Sequence, residues 1–92
     1  MIKSIRSKAL KQFAATGDGS KLPVQNPARI RRILAALDAA TAPEQMNIPG
    51  LKFHPLKGAD KGRYSVWVNG NYRVTFGWSG EDVIEVDLED YH

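Results

Sequence analysis

The residues best suited to proton transfer are the chain's two histidines, His54 and His92. An imidazole with an ordinary pKa of about 6.5 both takes and gives a proton near neutral pH, so it can serve as a base or as an acid. Asp90 and Tyr91 directly precede His92 and add a carboxylate and a phenol. Taken alone, a histidine before a proline is typical of a surface position, and residues 90–92 are typical of a frayed terminus.

Positive charge is concentrated in the first two thirds of the chain. Residues 1–63 carry twelve Lys and Arg against four Asp and Glu, a balance of +8, whereas residues 64–92 carry one Arg against six acids, a balance of −5. A basic body suits a polyanionic partner, because neutralising phosphates releases counterions. The same pattern is also that of a solubilising surface with an acidic tail. Arg29, Arg31 and Arg32 are expected to face solvent or such a partner.

Composition excludes several classes of protein. The chain has no cysteine, so it has neither disulfides nor a thiolate zinc site, and two histidines do not favour a histidine-rich metal site. We therefore expect no metal and no cofactor. No apolar run approaches the roughly 18 residues that span a bilayer, and the first residues lack the apolar stretch of a signal peptide. Residues 1–92 are expected to form a single domain of a soluble, cytoplasmic protein.

Two amphipathic helices are predicted in the first half of the chain. Residues 7–16 place apolar side chains at helical spacing and end at the breaker Gly17. Asn26 and Pro27 then open a second helix, with Asn26 as the N-cap and Pro27 in the first turn, where its missing N–H costs nothing. The buried stripe of this helix is predicted to be Ile30, Ile33, Leu34, Leu37 and Ala40.

A β-hairpin is predicted around Asn69-Gly70-Asn71, and two registers are open. A two-residue loop would pair Val66 with Arg73 and mix polar with apolar side chains. A three-residue loop is favoured because it keeps the apolar side chains on one face. Its pairs are Val68 with Tyr72, Val66 with Val74, and Tyr64 with Phe76. The opposite face then carries Ser65, Trp67, Arg73 and Thr75.

A last strand is predicted from Val83 to Leu88. Its inward side chains are expected to be Ile84, Val86 and Leu88, with Glu85 and Asp87 on the opposite face. Residues 51–54 and 2–5 are candidates for further short strands. This order predicts an α+β fold, in which two N-terminal amphipathic helices pack on a mostly antiparallel sheet of four to five strands. The other face of the sheet is open and polar.

Three segments together resemble the HigB branch of the RelE/ParE toxin superfamily. They are Phe53-His54-Pro55-Leu56-Lys57-Gly58, Asn71-Tyr72-Arg73-Val74-Thr75-Phe76 and Glu89-Asp90-Tyr91-His92. The resemblance extends over the whole chain, including its length and its helix–helix–sheet order. It implies the toxin of a type II toxin–antitoxin system, a ribosome-dependent endoribonuclease that cleaves mRNA in the A site. The implied partners are a HigA-type helix-turn-helix antitoxin, the 70S ribosome with its mRNA, and operator DNA bound by the toxin–antitoxin complex.

The resemblance also implies site residues. The catalytic positions are His54, Asp90, Tyr91 and His92, and the RNA- or phosphate-binding positions are Lys57, Arg73, Lys61 and Arg63. RNA is cut without metal when its 2′-OH attacks the adjacent phosphate, with a base, an acid and cationic groups assisting. We expect His92 or Asp90 to act as the base and His54 to lie near the leaving oxygen. Asp90 is expected to orient a histidine, and Tyr91 to stack on a base or to transfer a proton.

Two other functions are compatible with the same fold. One is a non-catalytic toxin that resembles the ParE branch and poisons DNA gyrase. The other is a degenerate toxin that acts only as an antitoxin-bound corepressor. The presence of both histidines together with Lys57 and Arg73 favours the nuclease.

Overall fold

Two helices are followed by one antiparallel sheet in the computed structural model, which describes residues 1–24 and 27–91. The helices are α1 (Lys8–Thr16) and α2 (Ala28–Ala39). The strands are β1 (His54–Pro55), β2 (Arg63–Asn69), β3 (Tyr72–Ser79) and β4 (Asp82–Asp90), in the order β1-β2-β3-β4. Short 3₁₀ helices cover Pro43–Met46 and Gly58–Asp60. The predicted α+β fold is confirmed.

The first helix forms where apolar spacing predicted it. The hydroxyl of Ser7 caps it by accepting the N–H of Leu10 at 3.2 Å. Gly17 ends it with a φ of 78°, a left-handed conformation that glycine adopts without steric cost. Leu10 and Phe13 are its buried residues.

The second helix begins at Ala28, directly after Pro27. The predicted N-cap, Asn26, lies outside the described residues. The predicted buried stripe is confirmed in full, because each of its five members is buried in the core. These side chains pack against Val66, Val74 and Phe76, so the helices cover one face of the sheet.

The hairpin register is confirmed in the body of the strands and wrong at the tip. Tyr64 pairs with Phe76 and Val66 with Val74, as predicted, but Tyr72 pairs with Asn69 instead of Val68. Val68 is the extra residue of a β-bulge, and the loop consists of residues 70 and 71. The bulge keeps the apolar alternation intact although the loop is shorter than predicted.

The last strand also contains a bulge, and it overturns one predicted core residue. The ladder passes from Thr75–Asp87 to Gly77–Ile84, so β4 holds one extra residue between these pairs. Glu85 sits there with a φ of 52°. Val83 and Val86 are therefore both fully buried, whereas Ile84 lies half-buried over Gly77 on the other face. The prediction that Ile84 points to the core is wrong.

Residues near the start of the chain cover the outer edge of β4. Ile2 and Ile5 form parallel bridges with Val83 and Val86, which confirms the predicted edge pairing over residues 2–5. The strand predicted at residues 51–54 is shifted and shorter, and covers only His54–Pro55. Neither helix of the described chain has the length and apolar character that a bilayer span requires.

Candidate active site

Polar side chains line up across the sheet face that the helices leave uncovered. One row of cross-strand partners consists of His54, Ser65, Thr75 and Asp87. The neighbouring row consists of Trp67, Arg73 and Glu89. Because adjacent strands are about 4.8 Å apart and the two rows are offset by two residues, the Cα atoms of His54 on β1 and Arg73 on β3 are separated by roughly 12 Å. Their side chains are therefore able to contact a single small ligand.

The imidazole of His54 is held through one nitrogen. Nδ1 lies 3.3 Å from the carbonyl oxygen of Lys52 and 3.4 Å from Oγ of Ser65. A carbonyl oxygen only accepts, so a hydrogen bond to Lys52 requires the form of the ring that carries a hydrogen on Nδ1, whereas the Ser65 hydroxyl is able to donate or accept. Neither of these two contacts uses Nε2. His54 itself is exposed, whereas Ser65 is completely buried beneath it.

A network of hydrogen bonds connects side chains in the middle of the same face. Nη2 of Arg63 donates to Oγ1 of Thr75 at 3.0 Å and to the carbonyl oxygen of Glu85 at 2.9 Å. The Thr75 hydroxyl donates in turn to Oε2 of Glu89. Thr75 is fully buried, so this network satisfies a polar group that the sheet would otherwise leave without a partner. Arg63, which was predicted to bind phosphate, thus also stabilises the bulge of β4 through its hydrogen bond to the Glu85 carbonyl oxygen.

Arg73 lies against the ring of Tyr91. Its guanidinium carbon is 5.7 Å from the ring centroid, a cation–π distance. The Tyr91 N–H donates to the carbonyl oxygen of Asn71 at 2.7 Å and holds the tyrosine beside β3. Nη1 of Arg73 is enclosed and receives no hydrogen-bond acceptor from residues 1–24 and 27–91. An unsatisfied charged donor of this kind is suited to an oxygen of an anionic ligand.

The loop between β1 and β2 carries the two predicted lysines. Lys57 and Lys61 flank the 3₁₀ helix Gly58–Asp60, and both are exposed. Burial raises the pKa of Tyr91, and the negative charges of Glu89 and Asp60 raise it further, while Arg73 lowers it. Asp60, on the same loop, thus acts on Tyr91 through its charge. Tyr91 is therefore protonated at neutral pH, and its hydroxyl is able to donate a hydrogen bond to a ligand.

The raised pKa of Tyr91 predicts a pH effect on stability. Since its folded pKa exceeds the ordinary value of 10.0, the folded protein binds more protons than the unfolded chain above that pH. Tyr91 thus contributes stability that is complete below pH 10.0 and is lost as the pH rises through its folded pKa. Urea unfolding of the wild type and of Tyr91→Phe, on both sides of this value, should give a steeper alkaline loss for the wild type. Equal pH slopes would contradict the burial of the phenol.

The remaining two predicted residues are placed differently. Asp90 pairs with Tyr72, whose ring packs against the core, so the Asp90 side chain leaves β4 on the helix side. Glu89 and Arg73 lie on the opposite side, with His54. The predicted role of Asp90 in orienting a histidine stays a prediction, and the register does not favour His54 as that histidine. His92 lies outside the described residues.

Sequence reasoning missed four contributors to the site. Ser65 and Thr75 were expected on the polar face but received no role, although a small hydroxyl residue two positions after an arginine on each strand is a usable signal. Glu89 was quoted only as part of the C-terminal segment. The carbonyl group of Lys52 leaves no trace in the sequence, because any residue supplies one.

Comparison with known proteins agrees with this architecture. The model of a family described as the RelE-like toxin of the type II toxin–antitoxin system HigB matches residues 3–92. The chain is also 40% identical to the endoribonuclease HigB of Proteus vulgaris over 92 residues, which cover both proteins completely. The full-length match and the fold lead to one conclusion: this chain belongs to the HigB-like family of RelE-like toxins of type II toxin–antitoxin systems.

Proposed function

We propose that this toxin is an endoribonuclease that cleaves mRNA in the A site of the translating ribosome. The observation that carries the proposal is the anchored imidazole of His54, whose Nε2 is left to exchange a proton on the face that also bears Arg73 and Tyr91. The full-length similarity to a relative named endoribonuclease HigB supports RNA as the substrate. Cleavage in the A site stops translation and growth.

The proposed reaction needs no metal. A base takes the proton of the 2′-OH, and the 2′-oxygen attacks the adjacent phosphorus. We assign this role to His92, because the register of β4 turns the Asp90 side chain toward the helices. The bond from phosphorus to the 5′-oxygen breaks, and Nε2 of His54 gives its proton to that oxygen. The products are a 2′,3′-cyclic phosphate and a 5′-hydroxyl, so atoms and charge balance.

Cationic and phenolic groups assist this step. Arg73 offers two parallel N–H donors to the phosphate oxygens, where negative charge accumulates. Lys57 and Lys61, on the exposed loop, bind neighbouring phosphates, and Arg63 adds its charge from beneath. Tyr91 remains protonated and either donates its hydrogen to the phosphate or stacks on a base.

The partners of the protein follow from its place in a toxin–antitoxin system. A toxin of this family acts with an antitoxin. We propose a helix-turn-helix antitoxin of the HigA type, and a toxin–antitoxin complex that binds operator DNA. The site of action is the cytoplasm, where ribosomes translate.

Cleavage by purified protein tests the proposal. On ribosomes translating a defined mRNA, the wild type should cut that mRNA and leave 5′-hydroxyl and 2′,3′-cyclic phosphate ends, as end-labelling and phosphatase sensitivity reveal. The same mRNA without ribosomes is the control and should be cut far more slowly. Gyrase-dependent DNA breaks with intact mRNA, or 5′-phosphate ends, would contradict this mechanism.

A further inference from the structure

A groove lies between α2 and the segment that leads into β1, outside the site described above. Its volume is about 320 Å³, near the lower end of small-molecule sites. Apolar side chains of Ile33, Ala36, Ile48 and Leu51 line it, and Arg29 and Arg32 stand along it. Ile48 is 37% exposed. Among the described residues, Met1 is the other large apolar side chain that is exposed to solvent.

Two cationic side chains, of Arg29 and Lys52, contact the indole ring of Trp67 beside this groove. The guanidinium carbon of Arg29 is 5.3 Å from the ring centroid of Trp67, and Nζ of Lys52 is 4.9 Å from it. The indole N–H donates to the carbonyl oxygen of Gly70 at 3.0 Å, which fixes the ring. The two positive charges are thus held at most about 10 Å apart. Like charges at this distance repel each other, and a bound anion would relieve the repulsion.

The structure divides the three arginines of α2 into two groups. Arg29 and Arg32 line this groove. Arg31 instead stacks on Phe13, with 5.4 Å from its guanidinium carbon to the ring centroid, and lines a different groove with Asp38. All three are exposed. Arg31 is therefore a control for Arg29, because it lies on the same helix but does not line the groove.

The groove lies close to the candidate active site. Leu51 lines the groove, and His54 follows three residues later, so their Cα atoms are at most about 11 Å apart. The Leu51 carbonyl oxygen accepts the Trp67 N–H, and Trp67 pairs with Arg73 across the hairpin. A polymer bound at His54 and Arg73 would therefore reach the groove with its next unit.

We propose that this groove, lined by Arg29, Arg32 and Ile48, binds the nucleotide of single-stranded mRNA next to the cleaved one, together with Lys52 and Trp67 beside Arg29. The base would contact the apolar side chains around Ile48, and Arg29 with Lys52 would bind the phosphate. The proposal rests on the endoribonuclease function proposed above. An antitoxin helix fits less well, because helix docking requires a long apolar groove with several anchors, and here one large apolar side chain is exposed.

Charge reversal on α2 tests this assignment with a built-in control. Arg29→Glu and Arg31→Glu change the net charge equally, in the same helical turn and at exposed positions. The probe is a short single-stranded RNA methylated at its 2′-oxygens, which prevents cleavage, with its Kd measured by fluorescence anisotropy. Arg29→Glu should raise Kd about tenfold and lower the salt dependence of binding, whereas Arg31→Glu should change Kd by less than about threefold. Arg32→Glu serves as the second variant if Arg29→Glu does not fold.

The possible outcomes separate this proposal from the proposed function. Equal losses in Arg29→Glu and Arg31→Glu would overturn the groove, because binding would then depend on net charge alone. Loss of binding to ribosomes without mRNA, with oligonucleotide binding unchanged, would overturn it in favour of ribosomal RNA. Weakened antitoxin binding with normal RNA binding would overturn it in favour of a protein partner. Binding of the uncleavable probe can be measured even if the wild type cuts no mRNA. If the wild type cuts mRNA and Arg29→Glu binds the probe with the wild-type Kd, only the groove proposal is refuted.

Discussion

Replacement of His54 by alanine is expected to slow mRNA cleavage by about 10²- to 10⁴-fold, the usual contribution of a positioned acid or base. The imidazole is fixed by the Lys52 carbonyl and the Ser65 hydroxyl, so its Nε2 has a defined position from which to deliver a proton. Alanine removes that nitrogen and leaves the sheet intact. The rate should be measured with saturating ribosomes carrying a defined mRNA, so that the chemical step is observed.

The fold of this variant should survive, because His54 is exposed and exposed substitutions usually change stability by less than about 0.5 kcal/mol. Lys11→Ala, an exposed substitution on α1, is the control and should cut at nearly the wild-type rate. Equal unfolding curves for wild type and both variants would exclude a folding defect. If His54→Ala cuts as fast as the wild type, His54 has no catalytic role.

A modified substrate tests the specific role of His54 as the acid. An mRNA with sulfur in place of the 5′-oxygen at the cut position has a leaving group that needs little protonation. On this substrate His54→Ala should recover most of its lost rate, because the missing proton is no longer required. An equally large defect would assign His54 to another step, such as proton removal from the 2′-OH.

Ser65 offers a milder form of the same test. Ser65→Ala removes one of the two contacts to Nδ1, while the Lys52 carbonyl retains the other. The ring should become less well oriented, so kcat should fall by roughly tenfold, less than in His54→Ala. Ser65→Thr, which keeps a hydroxyl, should recover part of the loss unless its extra methyl group is not accommodated at this buried position. An unchanged kcat in Ser65→Ala would show that the carbonyl contact is sufficient.

Much of the fold could be predicted because periodicity reports burial directly. The stripe of α2 follows from the spacing of Ile30 to Ala40, and the pairing of Val66 with Val74 follows from the alternation of apolar residues. The bulges could not be predicted in this way. A bulge adds a residue without changing composition, so the period of two continues in the sequence while the structure shifts.

Ile84 illustrates the failure and its cause. Straight alternation places it inward with Val86, but Glu85 adopts a φ of 52° and inserts one residue into the ladder. Glutamate carries no strong preference for that conformation, so the sequence lacks the glycine that would mark it. The bulge is held instead by contacts from distant residues, since Arg63 binds the Glu85 carbonyl and Arg6 pairs with the Glu85 carboxylate at 3.3 Å.

The part of the candidate site that could be predicted is the part that follows from the alternation of side chains along a strand. Alternation from Val66 and Val74 placed Arg73 on the open face, and the structure puts it there through the pair with Trp67. The surroundings of His54 depend on a carbonyl group and on strand pairing between distant segments, so they required the structure. Even straight alternation would have placed Asp90 with Val86 and Leu88, away from that face.

The second large effect is expected at Arg73. Arg73→Ala should lower kcat/KM by about 10²- to 10³-fold, the range seen when one donor to a developing negative charge is removed. The guanidinium is already oriented by the Tyr91 ring, and one of its nitrogens receives no acceptor from the described residues. A phosphate oxygen would satisfy that donor. The interaction therefore strengthens as negative charge builds up on the phosphate in the transition state.

Arg73→Lys separates geometry from charge. Lysine keeps the positive charge but loses the planar fork and its fit over the Tyr91 ring, so it should recover only a minor part of the activity. Arg31→Ala is the matched control, because it removes the same charge from an exposed arginine that stacks on Phe13 and lines a different groove, and it should cut within about threefold of the wild type. Full activity in Arg73→Lys would mean that charge alone is required at this position. Full activity in Arg73→Ala would remove Arg73 from the site, and the phosphate would then have to be bound by Lys57, Lys61 and Arg63.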